Sequence, residues 1–422
     1  MKRIAVRLAY VLSLLGEFAR DMREQKKRAA LTIFGIVWGT AAVVLMMAVG
    51  ESVKRQNIIN ARGLGEGLIL IFPGTTTKPY EGFGIGRSIM LRKEDVQLLR
   101  REIPQISMIS EEYMDWRSFL RVGEKVRSPA VTGVSPEYGT MRNEIPRQGG
   151  RFINERDTRD HRKVVFLGYD LKNYLFGDKT EAVGSYVYIN NIPFRVIGVL
   201  TRKVQNSSYN SRDKDRAFIP STTFEDIYAP RYLSDIIAKQ DLDVAGSRQI
   251  VKRIYEVLGK KYVFAPEDRD ALNVWNTAEF MEEFYLFFNA LNIFLVVMGT
   301  VTLAVGGLGV TNIMHVVVKE RTREIGIKRA VGADRWVIMA QFFAETFFIV
   351  FVGAVIGFAI AWGVTAAVAG IPQSVKDVIG VPHIDPVVAF FSILIISVIA
   401  FLAGFFPARK ASMLDPIECL RY

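Results

Sequence analysis

Apolar residues along the chain follow two patterns. In four places they run on without a single charge, over Ala29–Gly50, Phe284–Val318, Thr346–Val375 and Pro386–Ala408. The first run holds 22 residues, about 33 Å as a helix, against a hydrocarbon core of about 30 Å. The second holds 35 residues, so its helix must extend past lipid or lie partly within protein. These runs predict four membrane helices over 29–50, 285–318, 337–368 and 386–408. Short connections follow from them: 319–336 between the second and third, a loop at 369–385, and a tail at 409–422.

From 51 to 284 the pattern changes to short alternating elements. Gly67–Phe72 reads as a strand stopped by Pro73-Gly74, and Arg92–Glu102 as a helix. Val164–Leu167, Tyr186–Ile189 and Phe194–Leu200 read as strands, the last two joined through Asn190-Asn191, a hairpin signal. Asp241–Leu258 reads as a helix flanked by strands at Asp235–Ala238 and Tyr262–Ala265. Lys78–Arg87, with Gly82, Gly84 and Gly86, reads as a flexible loop. The block is expected to be an α+β domain of two subdomains.

Ahead of the first span, Ile4, Leu8, Val11, Leu12, Leu15, Phe18, Ala19 and Met22 recur at helical spacing among Lys2, Arg3, Arg7, Arg20 and Arg23. That predicts an amphipathic helix over 1–28, lying on the membrane surface or against a partner protein. The apolar run behind it exceeds the 7–15 residues of a signal-peptide core, which favours an uncleaved anchor.

Charge orients these elements. The 422 residues carry a formal +11: residues 1–28 hold +5, 319–335 hold +3 and the much longer 51–284 only +4. Basic clusters at Lys26-Lys27-Arg28, Lys319–Arg335 and Arg409-Lys410 belong on the cytoplasmic side by the positive-inside rule. Both termini are then cytoplasmic, and 51–284 lies outside the cell membrane. No concentrated basic face with aromatic or recognition-helix patterning suggests nucleic acid. One cysteine, Cys419, excludes an intramolecular disulfide or a multi-cysteine metal site.

Catalytic chemistry is not spelled out. Gly82-Phe83-Gly84-Ile85-Gly86 lacks the spacing of a dinucleotide fingerprint, no Gly-x-Ser-x-Gly elbow occurs, and three histidines, His161, His315 and His383, are scattered along the chain. No metal site is expected. Inside the spans the single acid is Glu345, accompanied by polar Asn312, Asn289, Asn292, His315 and Gln341; an intramembrane carboxylate is a functional candidate that can equally pair within the bundle. Gly35 with Gly39, and Gly353 with Gly357, form Gly-x-x-x-Gly pairs that admit close helix packing, between subunits or within one.

The 319–336 segment is too short for a domain, yet Glu320, Arg321, Arg323 and Glu324 alternate in sign, which a plain positive-inside loop does not require. The stretch Glu320-Arg321-Thr322-Arg323-Glu324-Ile325-Gly326-Ile327-Lys328-Arg329-Ala330-Val331-Gly332-Ala333 resembles the hallmark of FtsX-like, MacB-type ABC transporter permeases. So do Gly63-Leu64-Gly65 leading to Ile71-Phe72-Pro73-Gly74, Gly149-Gly150-Arg151-Phe152, Val196-Ile197-Gly198-Val199, and the tail from Pro407 to Arg421.

This resemblance implies a homodimer, or a pair of homologous permeases, of four-span subunits in a bacterial inner membrane. Each subunit would carry a periplasmic core domain over 51–284. It makes 319–336 a coupling helix in which Glu320, Arg321, Arg323, Glu324, Ile325, Gly326, Arg329 and Gly332 meet an ABC ATPase. No Gly-x-x-x-x-Gly-Lys-Ser/Thr loop occurs among these residues, so ATP and Mg are expected on a partner ATPase and no cofactor on this chain. The expected function is mechanotransmission that exports or extracts an amphipathic drug, peptide or lipoprotein, with a periplasmic adaptor protein and membrane lipids as further partners. The alternative is a non-transporting regulator of a periplasmic cell-wall hydrolase.

Overall fold

The computed structural model describes residues 26–203, 205, 208–372, 375–376, 380–415 and 419. The amphipathic helix expected over 1–28 lies outside the described residues up to position 25. Two compact units result: Asn57–Leu286, built around a sheet, and a helical unit formed by the chain up to Gln56 with Phe287 onward.

In chain order the elements are α1 (Lys26–Leu64), β1 (Leu68–Thr75), β2 (Ser88–Ile89), α2 (Lys93–Glu102), β3 (Met108–Asp115), β4 (Leu120–Val122), β5 (Lys125–Arg127) and β6 (Val131–Val134). Then come α3 (Glu137–Met141), α4 (Glu155–Arg159), β7 (Val164–Leu167), α5 (Tyr169–Phe176), β8 (Tyr186–Ile189), β9 (Ile192–Val199), a 3-10 turn (Asp213–Asp215), β10 (Ala217–Pro220), α6 (Ser221–Tyr228) and β11 (Asp235–Lys239). The chain closes with α7 (Val244–Tyr262), β12 (Leu272–Asn276), α8 (Thr277–Glu320), α9 (Thr322–Ala330), α10 (Arg335–Val368) and α11 (Pro386–Ser412).

The strands join into one mixed sheet, ordered β12-β1-β11-β3-β6-β10-β7-β9-β8-β4-β5, with β2 on β1. β6 runs parallel to β10 and β7 to β9, and the other pairs are antiparallel. Helices cover both faces of the centre, so alternate residues of one strand enter different cores: Ile69 and Ile71 pack with Val165, Leu167 and Ile236, while Leu68 and Leu70 pack with Phe166, Phe218 and Ile237. That two-sided burial is why β1, β7 and β10 read as continuous apolar runs rather than alternating ones.

The hairpin expected at Asn190-Asn191 forms with Ile189 opposite Ile192, both asparagines at positive φ. One local expectation is corrected. Tyr262–Ala265 is no strand: α7 continues to Tyr262, Val263 turns left-handed at φ 53°, and Phe264 N–H closes on Gly259 C=O at 3.0 Å. The strand of this region is β12, on the edge beside β1: Leu272 and Val274 join one core, Asn273 is exposed and Trp275 packs against the other core. The Lys78–Arg87 loop is exposed over 81–86; Tyr80 and Phe83 exchange backbone hydrogen bonds at 3.0 and 2.9 Å, and at its start Asp268 accepts from the N–H groups of Thr77 and Lys78 at 2.7 and 2.9 Å.

Among the described residues, four helices are long and apolar enough to cross a membrane. They exceed the expected spans where no helix breaker intervenes: α1 runs beyond position 50 to Leu64 and α8 starts at Thr277. At 39 and 44 residues, these two measure about 58 and 66 Å, well past a hydrocarbon core. The expected coupling helix over 319–336 is shorter in the structure. α8 ends at Glu320, α9 covers Thr322–Ala330, and Gly332 at φ 104° turns the chain into α10.

Candidate functional site

α9 and its flanks hold the sequence motif, and folding divides the motif into two faces. Arg321, at the N-cap of α9, Ile325 and Arg329 stand four residues apart and therefore share one face, with Gly326 beside it. All turn toward the protein. Arg321 Nη1 donates to Glu345 Oε1 and Oε2 on α10 at 3.2 and 3.3 Å. Gln341, one turn before Glu345, donates its amide to Oε1 at 3.1 Å. Ile325 is buried in the core of the helical unit with Val318, Ile338 and Phe342.

The C-terminal tail closes over the same face. Arg329 Nη1 donates to the backbone carbonyls of Ser412 and Leu414 at 3.3 and 2.8 Å. Gly326 meets buried Cys419 so closely that a Cβ there would lie 2.5 Å from the cysteine Cβ. Absence of a side chain at 326 thus serves contact with the tail. Glu320, Arg323, Glu324 and Gly332 are exposed, joined by Ile327, Lys328, Val331 and Trp336. Val331 is 84% exposed and Trp336 68%, so the outward face is charged with an apolar end. Of the expected contact residues, four face outward and four build the mount that holds them.

The glycine pairs lie on contacts within the chain. A Cβ on Gly35 would face Gly306 at 3.4 Å and one on Gly39 would meet Leu303 at 2.8 Å, both on α8; Gly353 and Gly357 of α10 press on α1 at Ile36, Val37 and Thr40. α1 is therefore gripped from two sides by backbone approach. Asn312 is exposed on α8 and belongs to neither cluster.

In the sheet unit, the ends of the two long helices converge on paired strands. β1 and β12 are antiparallel neighbours with Ile69 opposite Asn276, which brings Leu68, four residues past the end of α1, beside Thr277 at the start of α8. Thr277 Oγ1 accepts from Leu68 N–H and donates to Leu68 C=O, each at 2.9 Å. Arg248 of α7 holds the next turn through Glu279 at 3.0 Å and Glu282 at 2.9 Å.

Two family descriptions cover most of this architecture: a MacB-like periplasmic core domain over residues 29–250, and an FtsX-like permease C-terminal region over 296–416. The chain belongs to the FtsX-like, MacB-type ABC transporter permeases. Among similar proteins are the macrolide export ATP-binding/permease protein MacB of Rhodospirillum rubrum, 32% identical over 95% of this chain and 59% of its own. The pyoverdine export ATP-binding/permease protein PvdT of Pseudomonas syringae pv. syringae is 32% identical over 95% and 58%. The permease thus spans about 60% of the length of these curated relatives. A solved structure, the periplasmic region of MacB from Actinobacillus actinomycetemcomitans, matches 54% of the permease and 96% of that chain, with 21% identity and a TM-score of 0.41.

The tail contacts of Arg329 and Gly326 in the permease, the apolar end formed by Val331 and Trp336, and the Thr277 bridge lie outside what the sequence led us to expect. Helical spacing carried part of the first: 321, 325 and 329 mark one face, and 320, 323, 324 and 327 the other. Thr277 carried a signal too, as a threonine opening a helix directly after a strand.

Proposed function

We propose that the permease is the transmission subunit of an ABC export system. An ABC ATPase, on a partner chain, docks on the outward face of α9; its ATP-driven movement displaces α9, and α1 and α8 carry the displacement to the sheet unit. Two permease subunits work as a pair, with both termini and α9 in the cytoplasm and the sheet unit in the periplasm. There it acts on an amphipathic cargo delivered to or taken from an adaptor protein. This chain supplies no reacting group, and its contribution is mechanical.

The observation that carries the reading is the mount of α9. Arg321 is tied to Glu345 and Arg329 to the tail carbonyls, so a force on Glu320, Arg323 and Glu324 is passed to α10 and α11. A solvated positive-inside loop needs neither tie. The names of the similar proteins, macrolide and pyoverdine exporters that combine ATP-binding and permease parts, support the ATPase partner and the amphipathic cargo class.

Reversing charge at two outward positions tests it, with Glu320→Arg and Arg323→Glu combined. A mismatched charge pattern costs partner affinity and specificity. ATPase co-purifying from native membranes is expected to fall tenfold or more, with membrane insertion and the protease-resistant sheet unit unchanged. Wild-type ATPase recovery in that double variant sinks the docking assignment.

A further inference from the structure

The sheet unit encloses a cluster of ionisable side chains that no step above uses. Arg142, Arg216, Glu112, Asp213 and Asp235 have no exposed surface, and Glu144 is 2% exposed. Arg142 Nη2 donates to both oxygens of Asp213 at 2.9 and 3.0 Å. Lys203 Nζ bridges Asp213 and Glu144 at 2.7 Å each. Arg216 Nη1 reaches Glu112 at 2.8 Å, and the Tyr209 hydroxyl donates to the other Glu112 oxygen at 2.5 Å. The Arg142 guanidinium lies 4.9 Å from the Tyr209 ring centre.

Charges buried this way are costly even when paired, and apolar side chains of similar volume stabilise a core at least as well. The cluster therefore calls for a task that apolar packing cannot perform. Arg142 has one: its Nη1 donates to the backbone carbonyl of Leu64 at 2.6 Å. Leu64 is the last residue of α1 and is 3% exposed. A helix leaves its final carbonyls without internal partners, and they carry the negative end of its dipole. Water has little access at Leu64, and the guanidinium takes its place. Immediately beyond, Gly65 adopts φ 117°, and a Cβ there would collide with the carbonyl oxygen of Met141, the neighbour of Arg142. The Gly63-Leu64-Gly65 turn and the Arg142 backbone are thus packed against each other as well as hydrogen-bonded.

We propose that Arg142 is a positioning residue, a latch that fastens the end of α1 to the sheet through Asp213. Displacement of α1 then reaches the Asp213–Asp215 turn and β10 instead of being absorbed at two flexible glycines. The proposal rests on the reading of α1 as a carrier of motion. A guanidinium suits the task because its planar fork serves a carbonyl and a carboxylate at once; an ammonium keeps the charge but not that geometry.

Hydrogen exchange read by mass spectrometry on the full chain, in nanodiscs of phosphatidylethanolamine and phosphatidylglycerol, tests the latch. Peptides covering 57–68 and 217–220 are compared in Arg142→Lys, Arg142→Met and Lys203→Met. Lys203 shares Asp213 with Arg142 and donates to the Arg142 backbone carbonyl at 2.9 Å, but has no bond to Leu64. Both Arg142 variants are expected to raise exchange in 57–68 tenfold or more, with 217–220 protected as in the wild type in Arg142→Lys. Lys203→Met is expected to leave 57–68 unchanged. Wild-type exchange at 57–68 in Arg142→Lys overturns the latch, because charge alone is then sufficient. Equal loosening of 57–68 in Lys203→Met also overturns it, since the cluster then acts only through general stability. Arg142→Lys keeps the charge opposite Asp213, so the test survives if Arg142→Met does not fold. Failure here leaves ATPase recruitment by α9 untouched, and the charge reversal at Glu320 and Arg323 reports on that separately.

Discussion

Arg142 with Asp213 in the sheet unit, and Arg321 with Glu345 in the helical unit, are the same chemical device in two settings. The first pair has no exposed side-chain surface; in the second the arginine is 13% and the glutamate 5% exposed. Asp213 is also approached by Lys203 and Arg216, whereas among the described residues Glu345 receives one guanidinium nitrogen at 3.2 and 3.3 Å and one amide. A buried ion left without its partner loses the interaction and keeps the desolvation cost, so the density of compensating groups sets how hard each anchor is to break. The sheet-unit anchor is built to hold, and the α9 anchor is held by less.

The largest expected effect is therefore at Asp213. Asp213→Ala strands Arg142 in the interior and should destabilise the sheet unit by about 3–5 kcal/mol, read from chemical unfolding of the detergent-solubilised chain. A loss below about 1 kcal/mol shows that the network is wetter than its geometry and removes the contrast between the two anchors.

Next in size is a pH effect at Glu144. Burial, followed by the neighbouring Asp213 charge, pushes its carboxyl up to about 8 against the opposing pull of Lys203. Between its ordinary value of 4.5 and about 8, the folded protein keeps a proton that the unfolded chain has lost. Stability therefore declines as pH rises through that window and levels off above it. Glu144→Gln should remove the decline, a difference on the order of 4 kcal/mol by pH 8 that vanishes below about pH 4. Parallel melting profiles for variant and wild type across pH 5–9 contradict the assignment. Asp213 contributes at the other extreme: burial would raise it, but Arg142, Lys203 and Arg216 outweigh burial and hold it well below the usual carboxylate range. Its stabilisation is present above that range and is lost on acidification.

A double-mutant cycle sizes the weaker anchor. Arg321→Gln, Glu345→Gln and the double variant should give a coupling of about 1–2 kcal/mol, read from proteolytic susceptibility of the 319–335 segment. A value equal to that of Arg142 with Asp213 erases the distinction drawn above. The smallest effect belongs to the outward face: Arg323→Ala and Glu324→Ala should each change stability by less than about 0.5 kcal/mol, since exposed charges contribute little. A larger thermal shift in either variant means that this face is packed against protein.

Much of this contrast was legible along the chain, but unevenly. Glu345 stood out because one acid in a long apolar run breaks the composition around it. Asp213 did not: in Ser211-Arg212-Asp213-Lys214-Asp215-Arg216 it looks like any solvated charged turn. Burial of that turn comes from Arg142 and Glu112, which lie 71 and 104 residues away along the chain. β12 was missed for a related reason, since a five-residue edge strand holding Asn273 and Asn276 carries a weak signal and the preceding α7 ends in a left-handed valine instead of a glycine.

The four spans, the sheet-forming block and the motif of α9 follow from the sequence by itself, because unbroken apolar runs, two- and four-residue spacings and glycine turns act locally. The two faces of α9 also follow from spacing, as 321, 325 and 329 against 320, 323, 324 and 327. Which of them turns inward does not. Both carry charge and both carry an isoleucine, Ile325 on one and Ile327 on the other, so neither face is apolar enough to choose. The choice is made by Glu345 waiting on α10 and by the tail carbonyls of Ser412 and Leu414, 24 to 85 residues further along. In the same way Gly326 is a glycine in either reading, but only packing against Cys419 decides that the space is needed by the chain's own tail.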